Sequence, residues 1–170
     1  MFKSLYPKEY RPSVFEIDYD RLKNEGRFGL IFDLDNTVAP FDVPLPDEKT
    51  ARFFRGLRES GFGLCLLSNN AGDRVEKFNE SLGLCAISKA GKPGGKGVKK
   101  ALALLGADEG RAALIGDQIF TDVWCGNRLG IYTVLVKPMS DRDELSVKLK
   151  RGLEKIVIRS YLKKIKEEER

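Results

Sequence analysis

Two features of this 170-residue sequence predict an α/β fold with a central, mainly parallel sheet. Short apolar runs of strand length alternate with amphipathic stretches of helix length, and reactive side chains follow directly after the apolar runs. The runs span residues 28–32, 63–67, 112–115 and 132–136. Continuous apolar strands, rather than alternating ones, suit a parallel sheet covered on both faces. Strands alternating with helices imply crossover connections and a helical layer on each side, a Rossmann-like three-layer sandwich.

Residues 28–32 give the first strand. A helix is expected over 47–60, with Asp47 as its N-cap after Pro46 and Gly61 at its C-terminal end. Residues 63–67 give the second strand, and periodic polar–apolar segments near 72–82, 95–106 and 121–129 give further helices. Cys85 to Ile87 adds a short strand between the first two of these. No repeat, low-complexity region or linker interrupts residues 1–170, so one domain is expected, closing on a basic helix near 143–166.

Composition narrows the chemistry. At 42% hydrophobic and 32% charged, the chain has the balance of a soluble globular protein. No apolar run approaches the roughly 20 residues that span a bilayer, and the start of the chain carries no apolar stretch of signal-peptide length. The expected location is the cytoplasm. Cys65, Cys85 and Cys125 are scattered, without a CxxC pair, and read as small core residues rather than a disulfide frame or zinc site. The sequence contains no histidine, which excludes the Ser-His-Asp triad and every His-ligated metal. Catalysis must then rest on carboxylates, Lys, Ser/Thr and an oxygen-ligated metal.

In open α/β sheets, ligands bind outside the carboxyl ends of the strands. Four candidate groups fall there. The first strand runs into Asp33-Leu34-Asp35-Asn36-Thr37. Two carboxylates so close together raise one another's pKa unless a proton is shared or a cation intervenes, and Mg2+ prefers oxygen ligands. The second strand ends at Ser68-Asn69-Asn70, where a hydroxyl and turn N–H groups can hold phosphate oxygens. Lys92-Pro93 follows the short strand and can offset phosphate charge, with Lys96 as the fallback. Nearby glycines suggest a phosphate loop, but Lys96 is followed by Gly97 instead of Ser or Thr, so that pattern fails. The next strand ends at Gly116-Asp117, with Asp122 about one helical turn later, able to point into the same crevice.

The series Asp33-x-Asp35-x-Thr37, Ser68, Lys92-Pro93 and Gly116-Asp117-xxx-Thr121-Asp122 resembles the four ordered motifs of the haloacid dehalogenase (HAD) superfamily over residues 28–136. The resemblance implies a phosphatase acting through an aspartyl-phosphate. Asp33 would be the nucleophile, and Asp35 the acid that protonates the leaving oxygen and then activates water. Asp33 and Asp117 would bind Mg2+ together with the backbone carbonyl of Asp35, with Asp122 supporting that shell. Ser68, Asn69 and Lys92 would hold the phosphoryl group, while Asn36 and Thr37 shape the loop.

HAD relatives that act on small metabolites usually carry a cap domain. Here the intervals from Asp35 to Ser68 and from Ser68 to Lys92 leave no room for one. An open site excludes water poorly unless a large substrate, or a neighbouring subunit, covers it; an oligomer therefore stays open. Over nearly the whole chain, Tyr6-Pro7, residues 29–37, Ser68-Asn69-Asn70, Ala90-x-Lys92-Pro93 and the basic tail resemble the YqeG family of capless, type IIIA phosphatases. A related mitochondrial enzyme dephosphorylates phosphatidylglycerophosphate, so the resemblance implies a lipid substrate; Phe41 and Asp42, after Pro40, form part of a flap.

Residues 148–166 hold eight Lys/Arg against one acid, Glu154. Leu149, Leu153, Ile156 and Val157 form an apolar stripe at helical spacing, expected to pack on the sheet and leave a cationic face in solvent. That face suits anionic membrane lipid as a partner and a peripheral position at the inner face of the membrane. Nucleic acid would be attracted similarly, but no nucleic-acid motif accompanies it. The readings that compete with a lipid phosphatase are a phosphatase of soluble phosphometabolites or nucleic-acid ends, and a non-catalytic membrane- or RNA-binding protein that retains the fold.

Overall fold

The computed structural model describes residues 3–140 and 145–168, with side chains omitted for 145–149. Its centre is one sheet of six parallel strands: β1 (Glu9–Arg11), β2 (Gly29–Asp33), β3 (Gly63–Leu67), β4 (Cys85–Ile87), β5 (Ala112–Gly116) and β6 (Tyr132–Val136). Their order across the sheet is β1-β6-β5-β2-β3-β4. The helices are α1 (Tyr19–Asn24), α2 (Glu48–Glu59), α3 (Gly72–Asn79), α4 (Lys96–Leu105), α5 (Trp124–Leu129) and α6 (Leu145–Glu168).

Alternation along the strands divides the core between the two faces. Leu30, Phe32, Leu64 and Leu66 pack with Phe54 of α2 and with Val75 and Phe78 of α3. Ile31, Cys65, Leu67 and Leu114 face the other way, onto Val98, Ala101 and Leu102 of α4 and Cys125 of α5. Burial pushes the Cys65 thiol up to about 12 and raises that of Cys125, as fits core residues rather than nucleophiles. Every residue of β2 and β5 is buried, the condition that the unbroken apolar runs predict.

Local signals set the element ends. The Asp47 carboxylate accepts the Thr50 N–H at 2.7 Å and caps α2, while Gly61 takes φ +90 just beyond that helix's last turn. Strand β2 extends one residue further than expected, so Asp33 is its last residue, paired in register with Leu67 of β3. The helix expected over 121–129 divides. Ile119–Val123 forms a π-helical turn, because both Asp122 N–H and Val123 N–H reach the Gln118 carbonyl, and α5 follows.

The C-terminal helix packs on a different face from the one its apolar residues suggest. Leu153 and Ile156 are 59% and 56% exposed, whereas Val157 and Tyr161 are buried, with Glu154 beside them. Leu149 and the expected start near residue 143 lie outside the described side chains and residues. Two buried side chains contribute only about 1.5–3 kcal/mol each, so polar anchors decide which face of α6 turns inward. Glu154 accepts the Phe120 N–H at 3.2 Å, and Arg151 bonds Asp117. No helix among the described residues is long and apolar enough to cross a membrane.

Candidate active site

The carboxyl ends of β2, β3 and β5, with the loops that follow them, bring the expected residues together. Asp33, Asp117 and Asp122 are all buried, and one carboxylate oxygen from each lies within 4.8 Å of the others. Asp33 rides on the last position of β2 and Asp117 directly follows β5. The π-helical turn swings Asp122 back so that its Oδ2 accepts the Gln118 N–H at 3.1 Å. Gly116 makes room for this, since a Cβ there would lie 2.3 Å from the Asp122 carboxyl carbon.

Lys92 lies inside this cluster, its side chain 2% exposed. Its ammonium bonds Asp33 Oδ1 and donates to Asp122 Oδ1 at 2.7 Å. Lys96, the fallback for its role, sits exposed in the first turn of α4. Burial alone would lower the Lys92 pKa, but Asp122 and Asp33 outweigh it and hold the ammonium above its ordinary value. Burial likewise pushes the Asp33 carboxyl well above the usual carboxylate range; Lys92 pulls it back, and Asp122 and Asp117 add to the rise. Asp117 is raised to about 7, by burial first and against the pull of Arg151.

Asp35 stands at the mouth, partly exposed, and is held from three sides. Ser68 Oγ donates to its Oδ2 at 3.0 Å and Asn70 Nδ2 to the same oxygen at 2.9 Å. Arg74 Nε donates to Oδ1 at 2.6 Å. The remaining Arg74 nitrogens reach the Val43 and Pro40 carbonyls at 2.6 and 3.0 Å, tying α3 to the flap that carries Phe41 and Asp42. Asn69, expected at the phosphate, uses its side chain elsewhere. Its Oδ1 accepts the Lys92 N–H at 2.8 Å and its Nδ2 donates to the Lys92 carbonyl at 3.0 Å, which fixes the backbone that carries the buried lysine. Thr37 Oγ1 donates to Asp117 Oδ1 at 3.1 Å, and Asn36 adopts φ 61 to turn the loop.

Arg74 is absent from the sequence reading, and Arg151 enters it only as one of the eight basic residues of 148–166. Arg151 Nη2 bonds Asp117 Oδ2 and its Nη1 donates to the Asp117 carbonyl at 2.7 Å, so α6 reaches the site directly. Arg151 lies far from every motif, whereas Arg74 stands four residues after Asn70. The only sequence signal is their charge on helices that follow strands β3 and β6.

The donor set fits a hard divalent cation. Asp33 Oδ2 is buried and has no hydrogen-bond partner, and it lies in a cluster whose three carboxylates contact one ammonium and one guanidinium among the described residues. An all-oxygen site of that charge is the kind that Mg2+ and its relatives favour.

An acidic cluster and a buried lysine at the carboxyl ends of parallel strands define a hydrolase of the HAD type. A HAD-hydrolase-like family model matches residues 89–153. Solved structures with the same architecture include an uncharacterized protein from Listeria monocytogenes serotype 4b, 18% identical, TM-score 0.52, covering 69% of this chain and 85% of that one. The cobalt-bound deoxy-D-mannose-octulosonate 8-phosphate phosphatase of Haemophilus influenzae is 15% identical with TM-score 0.52, over 68% of this chain and 81% of that chain. These likenesses show the fold.

Sequence relatives carry the assignment further. The probable phosphatase YqeG of Bacillus subtilis (strain 168) is 34% identical over 162 residues, 95% of this chain and 94% of that protein. The chain belongs to the YqeG family of HAD-superfamily phosphatases. The chloroplastic phosphatidylglycerophosphate phosphatase 1 of Chlamydomonas reinhardtii is 30% identical over 78% of this chain, which spans 53% of that relative's length. The chloroplastic/mitochondrial counterpart in Arabidopsis thaliana is 28% identical over 87% of this chain and 45% of its own length.

Proposed function

We propose that residues 1–170 act as one Mg2+-dependent phosphomonoesterase domain that works through an aspartyl-phosphate on Asp33, with phosphatidylglycerophosphate as substrate. The observation that carries the reading is the Asp33 carboxylate. It sits at the end of β2 with one oxygen held by Lys92 and the other without a partner, beside Asp117 and Asp122. A pure binding protein has no use for such an arrangement.

Asp33 attacks phosphorus and the bond to the leaving oxygen breaks. Asp35, steadied by Ser68, Asn70 and Arg74, gives that oxygen its proton. Asp35, now ionised, takes a proton from a water that attacks the phospho-aspartate, releasing phosphate and restoring Asp33. Lys92 holds the attacking carboxylate in place and offsets charge on the phosphoryl oxygens. Asp33, Asp117 and the Asp35 carbonyl would hold Mg2+ with Asp122 behind them; the ion, when bound, supplies charge stabilisation at the phosphoryl oxygens.

The lipid is favoured by two relatives named for phosphatidylglycerophosphate and by the open site. The intervals where a cap would be inserted hold only the flap, α2, β3, α3 and β4. With the basic α6, this supports a cytoplasmic protein that works peripherally at anionic membrane. The test is phosphate release from phosphatidylglycerophosphate in mixed micelles, sugar phosphates, nucleotides and phosphorylated oligonucleotides. Preference for the lipid is expected, together with a loss of about a thousandfold or more in Asp33→Asn. Activity that persists in that variant overturns the mechanism, and preference for a soluble phosphate overturns the substrate.

A further inference from the structure

A second feature adjoins the carboxylate cluster. Between α6 and the edge formed by β1 and β6 lies a cleft of about 300 Å³, with Asp117 in the wall it shares with the active site. Its floor is apolar, built from Tyr10, Leu135, Val136, Pro138 and Ile158. The opposite wall is a stripe of α6 carrying Arg151, Glu154, Lys155 and Arg159, with Glu154 buried and paired to Arg151. Leu162, four residues beyond Ile158 and 41% exposed, continues the stripe by one turn.

The three cations are not equivalent. Arg151 is bonded to Asp117 and Glu154. Lys155 and Arg159 are exposed on the cleft's rim, and neither has an ion-pair partner among the described residues. An apolar trough edged by two unmatched positive charges complements an amphiphile whose anionic group is joined to aliphatic carbons. A soluble sugar phosphate has no use for that floor. A nucleic-acid end would bring bases that need aromatic platforms, and the cleft offers one tyrosine.

We propose that this cleft is a subsite for the phosphodiester and the adjoining acyl carbons of a glycerophospholipid whose phosphomonoester end lies at Asp33. Lys155 and Arg159 take the diester phosphate, and Leu135, Val136, Pro138 and Ile158 take the first carbons of a chain. The inference rests on the lipid reading above. The volume is at the low end of the about 300–1,000 Å³ of small-molecule pockets, which suits the headgroup-proximal part of a lipid whose tails stay in the bilayer.

The test uses the full chain and the double variant Lys155→Glu/Arg159→Glu, both positions being exposed. With Mg2+, kcat/KM is measured on water-soluble dihexanoyl phosphatidylglycerophosphate and on p-nitrophenyl phosphate. The ratio of the two is expected to fall about tenfold or more in the variant, and a ratio unchanged within about twofold overturns the subsite. A binding arm separates this outcome from failure of the phosphatase reading. Dihexanoyl phosphatidylglycerol, which carries the diester but no monoester, is titrated calorimetrically into wild type and variant with excess inorganic phosphate present. Binding to wild type that weakens about tenfold in the variant supports the subsite even if no lipid is hydrolysed. Absence of binding, equal binding to both proteins, or displacement by phosphate overturns it.

Discussion

Replacing Asp117 by Asn makes a sharp test of the electrostatics of the site. Burial raises the Asp117 carboxyl to about 7 despite the Arg151 guanidinium on it. An unfolded chain returns it to the ordinary value near 3.9. The folded metal-free protein therefore holds a proton there that the unfolded chain has released. The stability this contributes is fully present below about pH 4 and is lost as pH rises through about 7. At pH 8 the ionised form costs of the order of 4 kcal/mol relative to a group that does not ionise. Asn carries no charge and keeps one acceptor oxygen, which can serve Arg151 or Thr37 but not both. In EDTA, Asp117→Asn should therefore be the more stable protein at pH 8, by up to about 4 kcal/mol, with the gap closing toward pH 4. Mg2+ should narrow the gap at pH 8 by about 2.7 kcal/mol at a hundredfold excess over its Kd and close it near a thousandfold excess, where the ligand adds about 4.1 kcal/mol to the form that binds it. Urea unfolding followed by circular dichroism from pH 5 to 8, with EDTA or Mg2+, reads both effects. A gap that is constant or narrows as pH rises would refute the reasoning, because Arg151 would then be compensating the Asp117 charge in full.

Arg74→Ala should lower kcat about tenfold to a hundredfold with a smaller change in KM, because Asp35 loses its tether and the flap its tie to α3. Arg74→Lys should recover only part of it, as one ammonium cannot span Asp35 and two carbonyls; steady-state kinetics on p-nitrophenyl phosphate decides. Gly116→Ala forces the Asp122 carboxyl aside. The midpoint of Mg2+ activation should rise about tenfold or more, as for loss of a group that orients metal ligands, and a titration with an unchanged midpoint would contradict it.

Most of the fold was legible because its strands are unbroken apolar runs. The ranges 63–67, 85–87 and 132–136 are those read from sequence. Strand β1 escaped notice because two of its three residues are charged. Glu9 is buried and tolerated there only because Arg11 and Arg21 pair with it, a contact that no local pattern announces. The face of α6 was misread for a related reason. Its inward side is chosen by Arg151 reaching Asp117 and Glu154 reaching Phe120, so the helix leaves Leu153 and Ile156 in solvent. In the site, the four motif carboxylates and Lys92 were visible from their positions after strands. The roles of Arg74 and Asn69 were not, since each depends on a partner 20 or more residues away that only the crossovers bring near.

Burial raises Asp33 and Asp117, and the neighbouring carboxylates add to the rise. Asp33, Asp35, Asp117, Asp122 and Glu154 are set against Lys92, Arg74 and Arg151 among the described residues. Each cation is committed to particular oxygens: Lys92 to Asp33 Oδ1 and Asp122 Oδ1, Arg74 to Asp35 Oδ1, Arg151 to Asp117 Oδ2. None reaches Asp33 Oδ2, and rotating Lys92 toward it would strip Asp122 of its ammonium. Rearranging the side chains present therefore moves the deficit without removing it. Protonation relieves one carboxylate at a time, and on Asp33 it would disable the nucleophile. Positive charge added at the point the three buried carboxylates share relieves all of them at once and leaves Asp33 ionised to attack.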